Sequence, residues 1–117
     1  MNGKIALGMV RDLFFRSKID AVGTALGADI AYASSLEAAV LRCAQLKPAI
    51  IFADLSDASF PPLETVTAIR AAAPGARLIG FASHLDLKPL KAAREAGFDL
   101  TLSRSEFTAK LPDLLKS

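Results

Sequence analysis

The chain has 117 residues, of which 52% are hydrophobic and 22% charged, and its formal net charge is +2. This length and composition predict a single compact domain over residues 1–117 rather than a disordered segment. The small charge, and the scatter of lysines and arginines along the chain, exclude the electrostatic footprint of a nucleic-acid-binding protein. A single cysteine, Cys43, excludes an internal disulfide and a cysteine-based zinc site.

The N-terminal residues lead directly into a short apolar stretch, without the apolar core of a signal peptide. The sequence also has no apolar run long enough to cross a membrane. We therefore expect a cytoplasmic protein that has no membrane partner.

The first part of the chain alternates short apolar runs with segments of helical periodicity. Residues 4–10 form an apolar run that is typical of a buried strand. Residues 13–27 carry apolar side chains at helical spacing and end on a glycine, which is a common helix stop. A second strand is predicted over residues 29–33, and residues 34–47 predict a second helix with two serines as possible N-caps.

The stretch that organises the chain is residues 49–54, where five consecutive apolar residues lead directly to Asp54. Such a run indicates a strand buried on both faces, as in a parallel sheet. The strand places Asp54 at its carboxyl end, which is the edge where open parallel sheets bind ligands. A long polar loop with two prolines follows the strand and is suited to border a site there.

The second part of the chain repeats the alternation. Residues 63–73 predict a third helix and residues 76–82 a fourth strand. Residues 86–97 predict a fourth helix, with an aspartate as N-cap and a glycine as stop, and residues 98–102 predict a fifth strand. The closing helix is expected to be short, because Pro112 is tolerable only in the first turn of a helix.

Five strands alternating with five helices predict an α/β fold, a flavodoxin-like doubly wound sheet with helices on both faces. The five parallel strands are expected in the order 2-1-3-4-5. In that order the carboxyl ends of strands one and three meet at the switch point of the sheet. Arg11 and Asp12, which follow strand one, then become neighbours of Asp54.

Three features of the sequence match one known family. They are the apolar strand ending in Asp54, the Ala-Ser pair at positions 82–83, and the run Ala-Arg-Glu-Ala-Gly-Phe-Asp at positions 93–99. With them the chain resembles the receiver domain of response regulators, of the chemotaxis type, over essentially its whole length. The resemblance implies the same flavodoxin-like fold and a place in two-component signalling.

The resemblance also implies roles for individual residues. A receiver holds Mg²⁺ with two adjacent acidic residues after strand one and with the phosphoacceptor aspartate, and it binds the acyl phosphate with a Ser or Thr after strand four and a lysine after strand five. The acceptor position falls on Asp54, and Asp12 is the only acid after strand one. Asp12 and Asp54 are therefore weak candidates for metal binding. The hydroxyl position falls on Ala82 or Ser83, and the lysine position falls on Arg104.

These departures from the family pattern have a physical consequence. Mg²⁺ prefers hard oxygen ligands, and Arg11 adds a cation where a receiver has a carboxylate. We therefore expect no cofactor, with Mg²⁺ required only if Asp54 is phosphorylated. An arginine pairs well with a carboxylate through its planar fork, so we expect Asp54 to form an ion pair with Arg104 or Arg11.

Further polar residues are predicted to line this edge of the sheet. Arg11, Arg16, Ser83 and Arg104 together suggest an anion pocket, helped by the backbone donors at the start of the first helix. His84 follows Ser83 and is expected to border the site rather than to act in catalysis, since adjacent residues on a turn usually point apart.

Our leading hypothesis is a stand-alone pseudo-receiver that acts through a signalling partner, a kinase or an effector, with phosphorylation of Asp54 lost or inefficient. The first alternative is a genuine phosphoacceptor that uses Asp54. The second alternative is a sensor of a small anion or ligand at the carboxyl edge of the sheet. We do not expect an enzyme, because these residues supply no catalytic triad and no paired general acid and base. Phe14 lies off the core phase of its helix and is a possible partner contact.

Overall fold

The computed structural model describes residues 5–83 and 86–116. Strands and helices alternate along this part of the chain, as the sequence predicts. The strands are β1 (Ile5–Met9), β2 (Asp29–Tyr32), β3 (Ile50–Asp54), β4 (Arg77–Ala82) and β5 (Leu100–Ser103). The helices are α1 (Leu13–Leu26), α2 (Leu36–Leu46), α3 (Pro62–Ala72), α4 (Leu87–Ala96) and α5 (Arg104–Lys116).

The five strands form one parallel sheet in the order β2-β1-β3-β4-β5. This result confirms the predicted flavodoxin-like arrangement. The register pairs Met9 with Ala53 and Asp54 with Phe81. The carboxyl ends of β1, β3 and β4 therefore lie side by side, with Asp54 on the central strand.

Two hydrophobic cores lie on opposite faces of the sheet. On one face α2, α3 and α4 pack in sequence and contribute buried side chains such as Cys43, Ile69 and Ala93. On the other face α1 packs against α5, and the core there is rich in aromatic rings. Successive residues of β3 alternate between the two cores, with Ile51 in the first and Phe52 in the second. This alternation explains why the strand is apolar throughout.

Local sequence signals set several helix ends. The carboxylate of Asp12 accepts hydrogen bonds from the first turn of α1, and Ser35 caps α2 in the same way. Gly27 ends α1 with a φ of 68°, a left-handed conformation that glycine adopts without strain. Asp86 occupies the predicted N-cap position of α4, but its side chain makes no capping hydrogen bond.

The closing helix differs from the prediction. α5 has 13 residues, and Pro112 lies inside it rather than in its first turn. Ser103 and Glu106 cap its start reciprocally, each side chain accepting the backbone N–H of the other residue. The last turns are held because Leu111, Leu114 and Leu115 are buried against the aromatic core. Tertiary packing therefore outweighs the local cost of the proline.

Two smaller observations complete the fold. Leu63 in the first turn of α3 is exposed, while Val66 and Ile69 are buried. In the part of the chain that the structure describes, no helix combines the length and the apolar character needed to span a bilayer.

Candidate functional site

Asp54 lies at the carboxyl end of the central strand and is only 5% exposed. Its backbone is fixed because the N–H of the next residue, Leu55, donates to the carbonyl of Phe81 at 2.8 Å. One carboxylate oxygen, Oδ1, accepts the backbone N–H of Ser56 at 3.1 Å. The other oxygen, Oδ2, accepts Nη2 of Arg104 at 3.1 Å. Both oxygens of this carboxylate therefore have protein donors.

Arg104 is the first residue of α5, and aromatic rings hold its guanidinium in place. The guanidinium carbon lies 4.7 Å from the ring centre of Phe15 and 5.9 Å from that of Phe81. The ring of Phe81 in turn stacks on that of Phe107, with 4.5 Å between their centres. Cation–π contacts of this kind add to the ion pair. The sequence predicted an ion pair of Asp54 with Arg104 or Arg11, and the structure selects Arg104.

Asp12 contacts the other terminal nitrogen of the same guanidinium. Its Oδ1 accepts the backbone N–H groups of Phe14 at 2.9 Å and Phe15 at 3.3 Å, as the N-cap of α1. Its Oδ2 lies 3.8 Å from Nη1 of Arg104. One arginine thus lies between two carboxylates, of which one is buried and the other half-exposed.

Burial dominates the electrostatics of Asp54. Desolvation raises the pKa of this carboxyl above its ordinary value, while the charge of Arg104 and the N–H of Ser56 oppose the rise. The neighbouring carboxylates of Asp57 and Asp12 raise it further. The ion pair therefore offsets only part of the cost of burying the charge.

Arg11 points away from Asp54 and contacts the loop after β3. Its Nη1 lies 3.6 Å from Asp57 and donates to the hydroxyl of Ser59 at 3.1 Å. Burial acts to raise the pKa of Asp57, but the backbone and hydroxyl of Ser59 and the charge of Arg11 together hold it below its ordinary value. Arg11 therefore fastens a loop at the edge of the site.

Arg16 lies on the other side of α1, beside β2. Its guanidinium donates to the carbonyl of Val10 and to the hydroxyl of Ser34, and it covers the ring of Tyr32 at 4.6 Å. The predicted anion pocket of Arg11, Arg16, Ser83 and Arg104 is therefore not assembled. The reason is that two of its three arginines are engaged by loops on different sides of the site.

Ser83 follows the last residue of β4, and its backbone N–H donates to the hydroxyl of Ser56 at 3.0 Å. This bond joins the loop after β4 to the loop after β3. Ala82, the alternative hydroxyl position, ends β4 and is fully buried. His84, the predicted neighbour of the site, lies outside the described residues.

The residues present do not fit a magnesium ion. A divalent cation between Asp12 and Asp54 would meet the guanidinium of Arg104, which contacts both carboxylates. One oxygen of Asp12 is taken by the helix cap and one oxygen of Asp54 by a backbone N–H. Among the residues that the structure describes, no three His, Cys, Asp or Glu side chains come together as a metal site. Asp12 and Asp54 therefore do not provide the oxygen-rich octahedral shell that Mg²⁺ requires.

A groove between α1 and α5 opens beside Arg104, and the sequence did not predict it. Its volume is about 710 Å³, and it is lined by Asp12, Phe14, Phe15, Lys18, Ser83, Arg104, Ser105, Thr108 and Ala109. Phe14 is 86% exposed, which confirms the prediction that it lies off the core phase. The groove results from how two helices distant in sequence pack, so periodicity within one helix gives no signal for it.

No family model matches the sequence, and no curated protein matches it. Solved structures match it closely in fold. A receiver domain of a response regulator from Bermanella marisrubri superimposes with a TM-score of 0.82 at 22% identity, covering 98% of this chain and 97% of that one. A chemotaxis response regulator of Vibrio cholerae superimposes with a TM-score of 0.81 at 13% identity, covering 98% of both chains.

A third similar structure contains a metal ion. It is the receiver domain of a sensor histidine kinase from Pseudomonas aeruginosa, with a TM-score of 0.76, 18% identity, and coverage of 98% of this chain and 99% of that one. That domain has a magnesium ion coordinated in its active-site cleft. At these identities the likeness concerns the fold. The chain has the receiver fold of two-component response regulators.

Proposed function

We propose that this chain is a receiver-type signalling domain that acts by binding a protein partner, a kinase or an effector, and that Asp54 is not an efficient phosphoacceptor. The observation that carries the proposal is the 3.1 Å ion pair between Asp54 and Arg104. The domain is in this proposal a binding module rather than an enzyme, and it needs no cofactor.

Phosphorylation of an aspartate requires a carboxylate oxygen that is free to attack and a cation that neutralises the transferred phosphoryl group. In this chain both oxygens of Asp54 accept protein hydrogen bonds. The guanidinium of Arg104 is held by aromatic rings, so it does not leave readily. The attacking oxygen is therefore covered by a fixed cation.

The metal that normally supports this transfer also lacks its ligands. One carboxylate oxygen of Asp12 caps α1, and the neighbouring Arg11 contacts the loop after β3. A phosphoryl group at Asp54 would contact the charge of one arginine in place of a metal ion. That single charge does not position the phosphoryl oxygens as metal ligands do.

Exposed apolar side chains support the partner-binding part of the proposal. Leu13 and Phe14 are 71% and 86% exposed and are adjacent at the start of α1. Neighbouring large apolar residues on a surface are typical of protein contacts. They lie on the same side of the molecule as the mouth of the site, because Phe14 and Arg104 line one groove.

The test is exposure of the purified protein to acetyl phosphate and Mg²⁺, followed by intact-mass measurement. We expect no phosphoryl adduct on the wild-type chain. The Arg104→Lys variant is the matched comparison, since it keeps the charge and removes the planar fork. The Asp54→Asn variant reports any labelling elsewhere. An adduct on the wild-type protein that Asp54→Asn abolishes would make Asp54 a working phosphoacceptor and overturn the proposal.

A further inference from the structure

Asp12 lies between the site and the exposed apolar residues at the start of α1. Its Oδ1 accepts the backbone N–H groups of Phe14 and Phe15, and this cap fixes the first turn of the helix. Its Oδ2 lies 3.8 Å from Nη1 of Arg104. Leu13 and Phe14, the exposed pair that the proposed function assigns to a partner, belong to this first turn. One carboxylate therefore contacts both the guanidinium of the site and the backbone of the partner-binding surface.

The guanidinium of Arg104 has two possible arrangements, because it lies between two carboxylates. Its Nη2 donates a hydrogen bond to Oδ2 of Asp54 at 3.1 Å, whereas the 3.8 Å between Nη1 and Asp12 is too long for a hydrogen bond. The observed arrangement therefore favours Asp54. Among the described residues, Asp12 is the only other carboxylate that pairs with Arg104. Without the charge of Asp54, we expect the guanidinium to move towards Asp12.

A ring contact links the same guanidinium to the first turn of α1. The guanidinium carbon of Arg104 lies 4.7 Å from the ring centre of Phe15, the residue that follows Phe14. Phe15 is buried, and its ring also contacts Phe81 and Phe107. A shift of the guanidinium would therefore change both the ring contact and the cap of this turn. Contiguous contacts around an element with two arrangements can couple two parts of a protein.

We propose that the ion pair of Asp54 and Arg104 is coupled, through Asp12, to the first turn of α1. While Asp54 is charged, the pair keeps the guanidinium away from Asp12 and holds the exposed Leu13 and Phe14 in one arrangement. The proposal rests on the proposed function, because that function assigns these two apolar residues to a partner. Asp12 is a positioning residue, which acts on the surface through the backbone of α1. By linkage, a partner that shifts this turn changes in return how tightly Arg104 holds Asp54.

The test is amide NMR of a cycle of isosteric variants, which are Asp54→Asn, Asp12→Asn and the double variant, each compared with wild type. Asp54→Asn removes the charge that Arg104 prefers, so we expect the amides of Phe14 and Phe15 to shift. Asp12→Asn keeps a side-chain oxygen for the cap but removes the charge that attracts the guanidinium. In that background, Asp54→Asn should leave the two amides unshifted. Such a cycle isolates the coupling from the separate effects of the two substitutions.

Asp57→Asn is the matched control for the loss of a carboxylate at this edge of the sheet. The backbone N–H of Asp57 donates to the carbonyl of Asp54 at 3.2 Å, so the two residues are neighbours. The carboxylate of Asp57, however, pairs with Arg11 and not with Arg104. We therefore expect this variant to leave the amides of the first turn of α1 unshifted.

A crystal structure of the Asp54→Asn protein tests the geometry. We expect Nη1 of Arg104 to lie about 3 Å from Oδ2 of Asp12, within hydrogen-bond distance. An unmoved guanidinium would overturn the proposal. So would amides of Phe14 and Phe15 that do not shift, or that shift equally with and without the charge of Asp12. The phosphodonor experiment on the wild-type chain tests the proposed function separately, because its result does not depend on how α1 responds.

Discussion

Arg104 dominates the electrostatics of the site, because its guanidinium contacts the carboxylates of both Asp54 and Asp12. Its side chain is 37% exposed, its guanidinium packs on Phe15 and Phe81, and its Nε is buried without a hydrogen-bond partner among the described residues. Asp54 is much more deeply buried, and among the residues that the structure describes Arg104 is its only ion-pair partner. The two residues therefore differ in exposure to water. Without its partner, Arg104 would be partly hydrated, whereas Asp54 would remain buried.

This difference in exposure predicts how replacing Arg104 changes the stability of the protein. Arg104→Met removes the charge and leaves the buried carboxylate of Asp54 without an ion-pair partner among the described residues, although it keeps the backbone N–H of Ser56. We expect it to lower the free energy of unfolding by about 1–3 kcal/mol at neutral pH, below the full cost of breaking a buried pair because the arginine is partly hydrated. Urea denaturation measures the change. Arg104→Lys should recover much of the loss, and equal stability of all three proteins would contradict the account.

The raised pKa of Asp54 predicts a dependence of stability on pH. Because the folded-state pKa lies above the ordinary value, the folded protein binds this proton more tightly than the unfolded chain does. The resulting stabilisation is complete at acid pH, below the ordinary pKa, and is lost as the pH rises through the folded-state pKa. Asp54→Asn mimics the protonated form and avoids this loss.

We therefore expect the stability of Asp54→Asn relative to wild type to increase from acid to neutral pH. Thermal unfolding at a series of pH values measures the trend. Carbon-detected NMR of the Asp54 carboxyl group gives its pKa directly, and Arg104→Met should raise that pKa further. A carboxyl that titrates below its ordinary value would show that the ion pair outweighs burial, contrary to this account.

The sequence predicted the central Asp54–Arg104 pair of the site, but it did not predict the contacts of the arginines around that pair. Asp54 could be placed because it ends a buried strand of a parallel sheet. Arg104 could be placed because the family resemblance assigns it the lysine position after the fifth strand, at the same edge of the sheet. Arg11 and Arg16 could not be placed, since their partners are loop groups such as Ser59 and the carbonyl of Val10. The positions of those groups depend on loop conformation, for which side-chain periodicity gives no information.

At the scale of the elements, prediction succeeded where a residue has one strong local preference. Gly27 and Gly97 end α1 and α4 in the left-handed conformation, as the sequence indicates. It failed for α5, where Pro112 suggested a short helix. Burial of the leucines after the proline holds the last turn, and burial depends on the other helix of that face. Local propensity could not reveal that contact.

Close packing around Gly80 of β4 predicts that a larger residue at this position destabilises the protein. An added Cβ on Gly80 would lie 2.5 Å from Cδ1 of Leu55 and 3.1 Å from the ring of Phe98. We expect Gly80→Ala to destabilise the protein by about 1–3 kcal/mol, the usual cost of overpacking a core. Gly75→Ala is the control, because nothing lies within 4 Å of its added Cβ. Urea denaturation should separate the two variants, and equal stability would mean that the neighbours of β4 yield without cost.

At the scale of the whole molecule, the aromatic core connects the site to one face of the sheet. Phe15 and Phe81 contact Arg104, and both rings also contact Phe107 of α5. A receiver signals when a ligand or modification shifts the population between two conformations. In the function proposed here, Arg104 takes the place of such a ligand, because it already pairs with the carboxylate of Asp54. We therefore expect one dominant conformation of the domain.

The most direct test of this claim is amide NMR of the protein with beryllofluoride and Mg²⁺, which together mimic an aspartyl phosphate. The account predicts no change in the spectrum, including the amides of Ser56 and Ser83, which border Asp54 and join the two loops of the site. Shifts at these two amides that extend into α4, and that Asp54→Asn abolishes, would contradict it. Such shifts would show that Arg104 moves away from Asp54 and that Asp54 acts as a switch.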